Sequence, residues 1–184
     1  TETPLLVFWR LIGKMVQDGL APVSFLAAMK HPLARGGMSA GALKRNTRLL
    51  ERLILRGPRP ATGIDGLIHT LETSNGEFPE NFGGSVATDK EKKDLYNWII
   101  ELSEPIRDLE RLVRCPLVKV QDIFEKHNRL VETLLLDGSK NCSWNSYSSD
   151  YREQIASIFS DLFEMCHDFP EISGQEYLPF LESL

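Results

Sequence analysis

Apolar side chains recur at intervals of three and four along nearly the whole chain, the spacing that places them on one face of a helix. Leu5, Trp9, Ile12 and Val16 form the first such face. Thr3 stands where a helix cap is needed, Pro4 suits the first helical position, and Gly19 is a natural stop. A second, short helix opens at Pro22 and carries Phe25, Leu26 and Met29; it must end before Pro32, because a residue preceding proline disfavours the helical region. The third predicted helix spans 39–55, with Leu43, Leu50 and Ile54 pointing one way. The run Arg56-Gly57-Pro58-Arg59-Pro60 then breaks it and makes a stiff turn.

The pattern continues with a short helix over 63–73 that carries Ile64, Leu67, Ile68 and Leu71. Residues 74–87, rich in Gly and Asn, read as a flexible surface loop. Thr88-Asp89-Lys90-Glu91 has the form of a capping box, in which hydroxyl and carboxylate each satisfy a free backbone N–H. A long helix follows, with Leu95, Trp98, Ile99, Leu102, Ile106, Leu109, Leu112 and Val113 inward; Pro105 is expected to kink or split it. Further helices are predicted over 118–136 (Val120, Ile123, Phe124, Leu130, Val131, Leu134) and from Asp150 onward, where Ile155, Ile158, Phe159, Leu162 and Met165 should face inward. Ser173-Gly174-Gln175-Glu176 reads as a second capping box before a terminal helix with Leu178, Leu181 and Leu184. No sustained period-two alternation bounded by turns interrupts this sequence of helices. The expectation is an all-α fold, an irregular bundle of about seven or eight helices forming one domain over residues 1–184.

Composition narrows the class. With 184 residues, 42% hydrophobic and 26% charged, the chain can bury a substantial core. No stretch approaches the roughly 18 consecutive apolar residues that a membrane-spanning helix needs, so no membrane association is expected. The apolar N-terminal stretch includes Arg10 and Lys14 and lacks a basic leader with a small-residue cleavage site, so it does not read as a signal peptide. The chain opens on Thr1, with a helix starting almost at once, which fits a segment of a larger protein. Cys115, Cys142 and Cys166 are too far apart in sequence for a Cys-x-x-Cys site and too few to pair completely; reduced thiols and a cytoplasmic location are the expectation.

Charge is more informative in its distribution than in its total of −5. Residues 30–59 contain eight cations and a single acid, Glu51, leaving the rest of the chain strongly acidic. At about 100° per residue, Arg45, Arg48, Arg52 and Arg56 fall nearly opposite the apolar face of the third helix. Together with Lys44 and Arg59 they are candidate contacts for nucleic-acid phosphate or for a protein partner. Two plainer explanations stand beside these: Arg52 and Arg56 oppose a helix dipole near its C-terminus, and an exposed basic face can be solvated or paired with acids of a neighbouring domain. No aromatic residue interleaves the stripe, so base stacking is not indicated.

Catalytic motifs are missing. Gly83-Gly84-Ser85 lacks the lysine and preceding strand of a phosphate loop, and no His-Glu-x-x-His pattern is present. His31, His69, His127 and His167 are scattered; His127 lies on the apolar face of its helix and reads as a packed, hydrogen-bonded core residue. Cys166 and His167 are adjacent, which points their side chains about 100° apart on a helix and argues against a nucleophile–base pair. Glu101, Glu104 and Asp108 at helical spacing describe a solvated acidic face rather than a metal site. No catalytic residue, metal ligand or cofactor is expected within this segment.

Two linked stretches bear a resemblance. Gly19-Leu20-Ala21-Pro22-Val23-Ser24-Phe25-Leu26-Ala27-Ala28-Met29-Lys30-His31-Pro32-Leu33-Ala34 is followed by Leu50-Glu51-Arg52-Leu53-Ile54-Leu55-Arg56-Gly57-Pro58-Arg59-Pro60, with Gly63 and Leu67 beyond. In order and spacing they resemble bacterial AddB proteins, over roughly the first third of the chain; Pro116-Leu117 and Tyr177-Leu178-Pro179-Phe180-Leu181 agree more loosely. The resemblance implies a subunit of a helicase–nuclease that works with an AddA-like subunit on double-stranded DNA ends during double-strand break repair and recombination. This segment would then be similar to the helical insertion in the second RecA-like lobe of superfamily 1 helicases. The sites for ATP, magnesium and an iron–sulfur cluster would lie elsewhere in the parent complex, so the segment would be non-catalytic. The competing expectation is a helical protein–protein scaffold with no nucleic-acid role.

Overall fold

The computed structural model describes residues 3–58, 60–73 and 87–182. Among them are eight α-helices and no strand: α1 (Pro4–Gln17), α2 (Pro22–Met29), α3 (Ala40–Leu50), α4 (Ile64–Thr73), α5 (Asp89–Val113), α6 (Val120–Leu135), α7 (Ser149–His167) and α8 (Tyr177–Glu182). The fold is an all-α irregular bundle. The expected loop at 74–87 lies outside the described residues except for Ala87, as do Arg59 and Leu184.

Local chemistry sets most boundaries. Thr3 caps α1 by accepting from the Leu6 amide at 3.4 Å, and Gly19 leaves the helix with φ +62°. Ser39 caps α3, and Ser148 caps α7, through the amides of Ala42 and Tyr151. At α5 both halves of the capping box form: the Thr88 amide donates to Glu91 Oε2 at 2.8 Å, and the Glu91 amide donates to Thr88 Oγ1 at 3.2 Å. Ser173 accepts from the Gln175 amide, but the turn it caps is a short 3₁₀ segment, Gly174–Glu176, that leads into α8.

One expectation about helix continuity needs correction, and another is narrowed from a kink or a split to an unsplit helix. The helix predicted over 39–55 is α-helical only to Leu50; Glu51–Leu55 is a π-turn, marked by the Arg56 amide donating to the Glu51 carbonyl five residues back. Conversely, α5 runs through Pro105 as one 25-residue helix and is not split. Proline there removes the hydrogen bond to the carbonyl of Glu101, an exposed residue whose carbonyl water can reach. Leu102, Ile106 and Leu109 are buried on both sides of the proline and anchor both halves in the core.

The core forms where α1 packs against α2, α5, α6 and α8, with α5 and α6 against one another. Phe8, Ile12, Met15, Phe25, Trp98, Ile99, Phe124 and Leu130 are almost fully enclosed there. Glu110, a nearly buried carboxylate on α5, accepts from the Ile64 amide at 3.1 Å and so caps α4 from across the interface. Desolvation raises its pKa, opposed by the charge of Arg114. Arg107 clasps Asp65 at 2.6 Å and fixes the same helix pair from its exposed side.

His127 is the polar centre of this core. It is fully buried on α6 and stacks on the Trp9 ring with centroids 4.1 Å apart. Its Nε2 lies 2.9 Å from the Trp9 carbonyl oxygen, which can only accept, so Nε2 carries the proton. Nδ1 is then the acceptor for the Tyr177 hydroxyl at 3.1 Å. The expected hydrogen-bonded core histidine is therefore present, tying α6 to α1 and α8. Gly13 makes room for it: a Cβ there would sit 2.9 Å from His127 Cε1.

Burial lowers the His127 pKa to about 3, against an ordinary value of 6.5. Between these values the unfolded chain binds a proton that the native state refuses, so stability is fully present above about pH 6.5 and falls as pH drops toward 3. The cost approaches about 1.4 kcal/mol per pH unit at the steepest part. Denaturant melts of wild type and His127→Gln should therefore converge in stability between pH 7.5 and 5; curves that stay parallel would refute the buried neutral histidine.

Candidate nucleic-acid or partner interface

The candidate basic residues do not form one stripe. Lys44, Arg45, Arg48, Arg52 and Arg56 are all exposed, but they divide into two groups. Arg45, Arg48 and Arg52 line one wall of a groove of about 560 Å³ between α3 and α5. Arg56 follows the π-turn, lies outside this groove lining and pairs with Glu51 at 3.0 Å. Lys44 is exposed on α3 outside this groove lining, and Arg59 lies outside the described residues. Sequence periodicity placed Arg56 with the others because it assumed an unbroken α-helix; a wider turn changes the direction of every side chain that follows it.

The opposite wall is acidic. Glu91, Asp94 and Glu101 of α5 face the three arginines, with Asn97 and Trp98 between them. These acids are exposed, and each wall supplies three charges of opposite sign. Thr88's amide and hydroxyl hold the Glu91 carboxyl below its ordinary pKa, and the charge of Arg52 acts in the same direction. Among the described residues Arg45 and Arg48 make no direct ion pair, so at these two positions the walls face each other across the groove. An entering phosphate meets carboxylates as well as guanidinium groups, which removes most of the attraction a basic stripe alone would exert. The signal for this wall was in the sequence, since positions 91, 94, 98 and 101 repeat at helical spacing. Which helix lies beside α3 is a tertiary fact that periodicity does not supply.

Trp98 sets the groove's geometry. Its ring is buried in the floor, and its indole N–H donates to the Gly36 carbonyl at 3.1 Å. Gly36 has φ +58°, and a Cβ there would sit 3.0 Å from Trp98 Nε1. The loop between α2 and α3 is also pinned to α6, since the Arg35 and Gly36 amides both donate to the Leu134 carbonyl. These bonds fix the start of α3 against α5 and so hold arginines opposite acids.

The two stretches that carry the AddB resemblance meet in space. Lys30, at the end of α2, reaches Glu51 Oε2 at 2.8 Å, while Arg56 holds the other carboxylate oxygen. Both cations keep the Glu51 carboxyl below its usual pKa, Lys30 first. The Gly63 amide donates to the Gly19 carbonyl at 3.0 Å, which joins the outer ends of the same stretches. Within the first stretch, His31 Nδ1 accepts from the Leu33 amide at 3.3 Å and its ring stacks on Phe8. Each of these residues orders a turn or links two helices.

No histidine, cysteine and carboxylate meet within hydrogen-bonding reach among the described residues, nor does any group of three potential metal ligands. His167 pairs with Gln121, and Cys115 donates to the Arg111 carbonyl. Burial pushes the Cys142 and Cys166 thiols up, away from the reactive thiolate. A smaller recess of about 240 Å³, walled by Trp9, Trp144 and Phe159, is mainly apolar; the Oδ1 of its Asn128 already accepts from the Trp9 indole at 2.6 Å.

Comparison of the chain with protein-family models, curated proteins and solved structures finds no match. No helix among the described residues is long and apolar enough to cross a membrane.

The ion-pair geometry separates a structural charge from surface charges. Replacing Glu51 with Ala strands Lys30 and Arg56 near one another and should lower stability by about 1 kcal/mol. Arg45→Ala and Arg48→Ala should each stay within about 0.5 kcal/mol of wild type. Chemical denaturation at pH 7 checks both; equal losses at all three positions would contradict the division of the basic residues.

Proposed function

We propose that this chain is a non-catalytic accessory domain of an AddB-like subunit in a double-strand break repair helicase–nuclease, and that it works through contacts to protein. The observation that carries the family assignment is the meeting of the two resembling stretches at Glu51. Lys30 of one stretch and Glu51 with Arg56 of the other form one ion-paired unit. In such a parent the sites for ATP, magnesium and the iron–sulfur cluster belong to other domains, and this bundle supports them from the side.

The charge-balanced groove favours protein over DNA as the direct contact. A surface that presents arginines and carboxylates face to face suits a neighbouring domain or an AddA-like subunit with both signs of charge. The same balance supports a second reading, a helical scaffold with no connection to DNA processing.

Two measurements test the proposal. The coding region on either side of this segment should encode the two parts of a RecA-like helicase lobe; flanks of another kind would overturn the family assignment and leave the scaffold. A DNA duplex titrated across a salt series should bind the chain weakly, with a shallow dependence on salt that Arg45→Ala, Arg48→Ala and Arg52→Ala together leave almost unchanged. Binding that falls about tenfold or more in that triple variant, with a steep salt slope in wild type, would show direct phosphate contact and overturn the protein-contact reading.

A further inference from the structure

The sequence pattern places Ile158 and Met165 inside, and the structure places them outside. Of the seven large hydrophobic residues exposed among the described residues, four fall within twelve positions on α7 and just past its end: Phe163 lies beside Phe124 and Phe169 edge-on to Phe180, while Ile158 and Met165 share another side of α7. That concentration is unlike the isolated exposure of Val23 on α2, which is ordinary for a protein surface.

The cause lies in how α7 is seated. Its principal neighbour is α6, so only one side of the helix is covered. Ile155 and Cys166 are the two residues of α7 that are buried, and Phe159 and Leu162 between them are partly so. These four recur at intervals of four, three and four and use a single face. Ile158 and Met165 stand about 60–80° to one side of that face, with Leu162 between the two stripes. Ile158 is 38% and Met165 48% exposed. One edge of the apolar arc, Ile158 and Met165, is thus only partly covered by the bundle.

What surrounds this edge identifies its occupant. Residues 149–171 contain six carboxylates, Asp150, Glu153, Asp161, Glu164, Asp168 and Glu171, against one cation, Arg152. Asp150, Asp161 and Asp168 flank the Ile158–Met165 edge on its solvent side at helical spacing. An acid-bordered apolar strip is repelled by anionic lipid headgroups, which disfavours an anionic membrane surface. A second copy offers this strip no basic border, since a two-fold interface pairs a patch with itself. We propose that the Ile158–Leu162–Met165 face of α7 docks an amphipathic helix of a partner protein whose apolar residues are flanked by lysine or arginine. Leucine-sized side chains fill the strip, with Met165 adapting to their shape, while the flanking cations meet Asp150, Asp161 and Asp168. This surface is separate from the α3–α5 groove and does not depend on the AddB reading.

The test uses the full chain and two synthetic helical peptides with the same leucine face, one flanked by lysine and the other by glutamate. Fluorescence anisotropy should show the lysine peptide binding at least tenfold more tightly than the glutamate peptide. Ile158→Ser with Met165→Ser should weaken it at least tenfold, while Val23→Ser leaves it unchanged; circular dichroism checks that each variant folds. Equal binding of both peptides, or lysine-peptide binding that survives in the double variant, would overturn the proposal. So would sedimentation showing a dimer of wild type that the double variant dissolves, because the face would then belong to a second copy.

Discussion

The hydrogen bond from the Trp98 indole to the Gly36 carbonyl is a small interaction with a long reach. It is buried, so leaving either group unpaired would cost the full desolvation penalty of that group, about 1–3 kcal/mol. It fixes the loop that launches α3, and Gly36 is required there by its positive φ and its closeness to the ring. Once that loop is pinned, the direction of α3 along α5 follows. Arg45, Arg48 and Arg52 are then held opposite Glu91, Asp94 and Glu101, and the basic segment that stands out in the sequence becomes half of a balanced groove.

A similar logic runs through the rest of the bundle, where polar groups act mainly to join helices. His127 is enclosed between Trp9 and Tyr177 with both ring nitrogens satisfied, and Glu110 caps α4 from α5. Glu51 binds Lys30 and Arg56 and thereby connects two stretches distant in sequence. These three titratable side chains hold elements of the bundle together.

How much of this was legible in the sequence varied with the range of the interaction. Caps and stops are local, so Thr3, Gly19, Ser39 and the Thr88–Glu91 box located helix ends well. The core role of His127 was also legible, because its neighbours on one helix face are apolar. The π-turn at Glu51–Leu55 was not, since nothing in its composition distinguishes it from an α-helix, and Arg56, which follows it, lies outside the groove lining. The exposure of Ile158 and Met165 was equally hidden: periodicity reports that a helix has an apolar arc, not how many neighbours cover it. The acidic wall lay in plain sight at positions 91, 94 and 101, but its meaning depends on which helix packs alongside.

Across the groove, the acids of α5 mask Arg45, Arg48 and Arg52. Neutralising the mask with Glu91→Gln, Asp94→Asn and Glu101→Gln together tests it directly; glutamine at 91 can still serve the capping box. The measurement is duplex DNA affinity across a salt series. Wild type should bind weakly, and the triple variant should gain about tenfold or more with a steeper salt slope as the masking carboxylates are lost. Identical, weak binding by the two proteins, or steep salt-dependent binding already present in wild type, would contradict the masking.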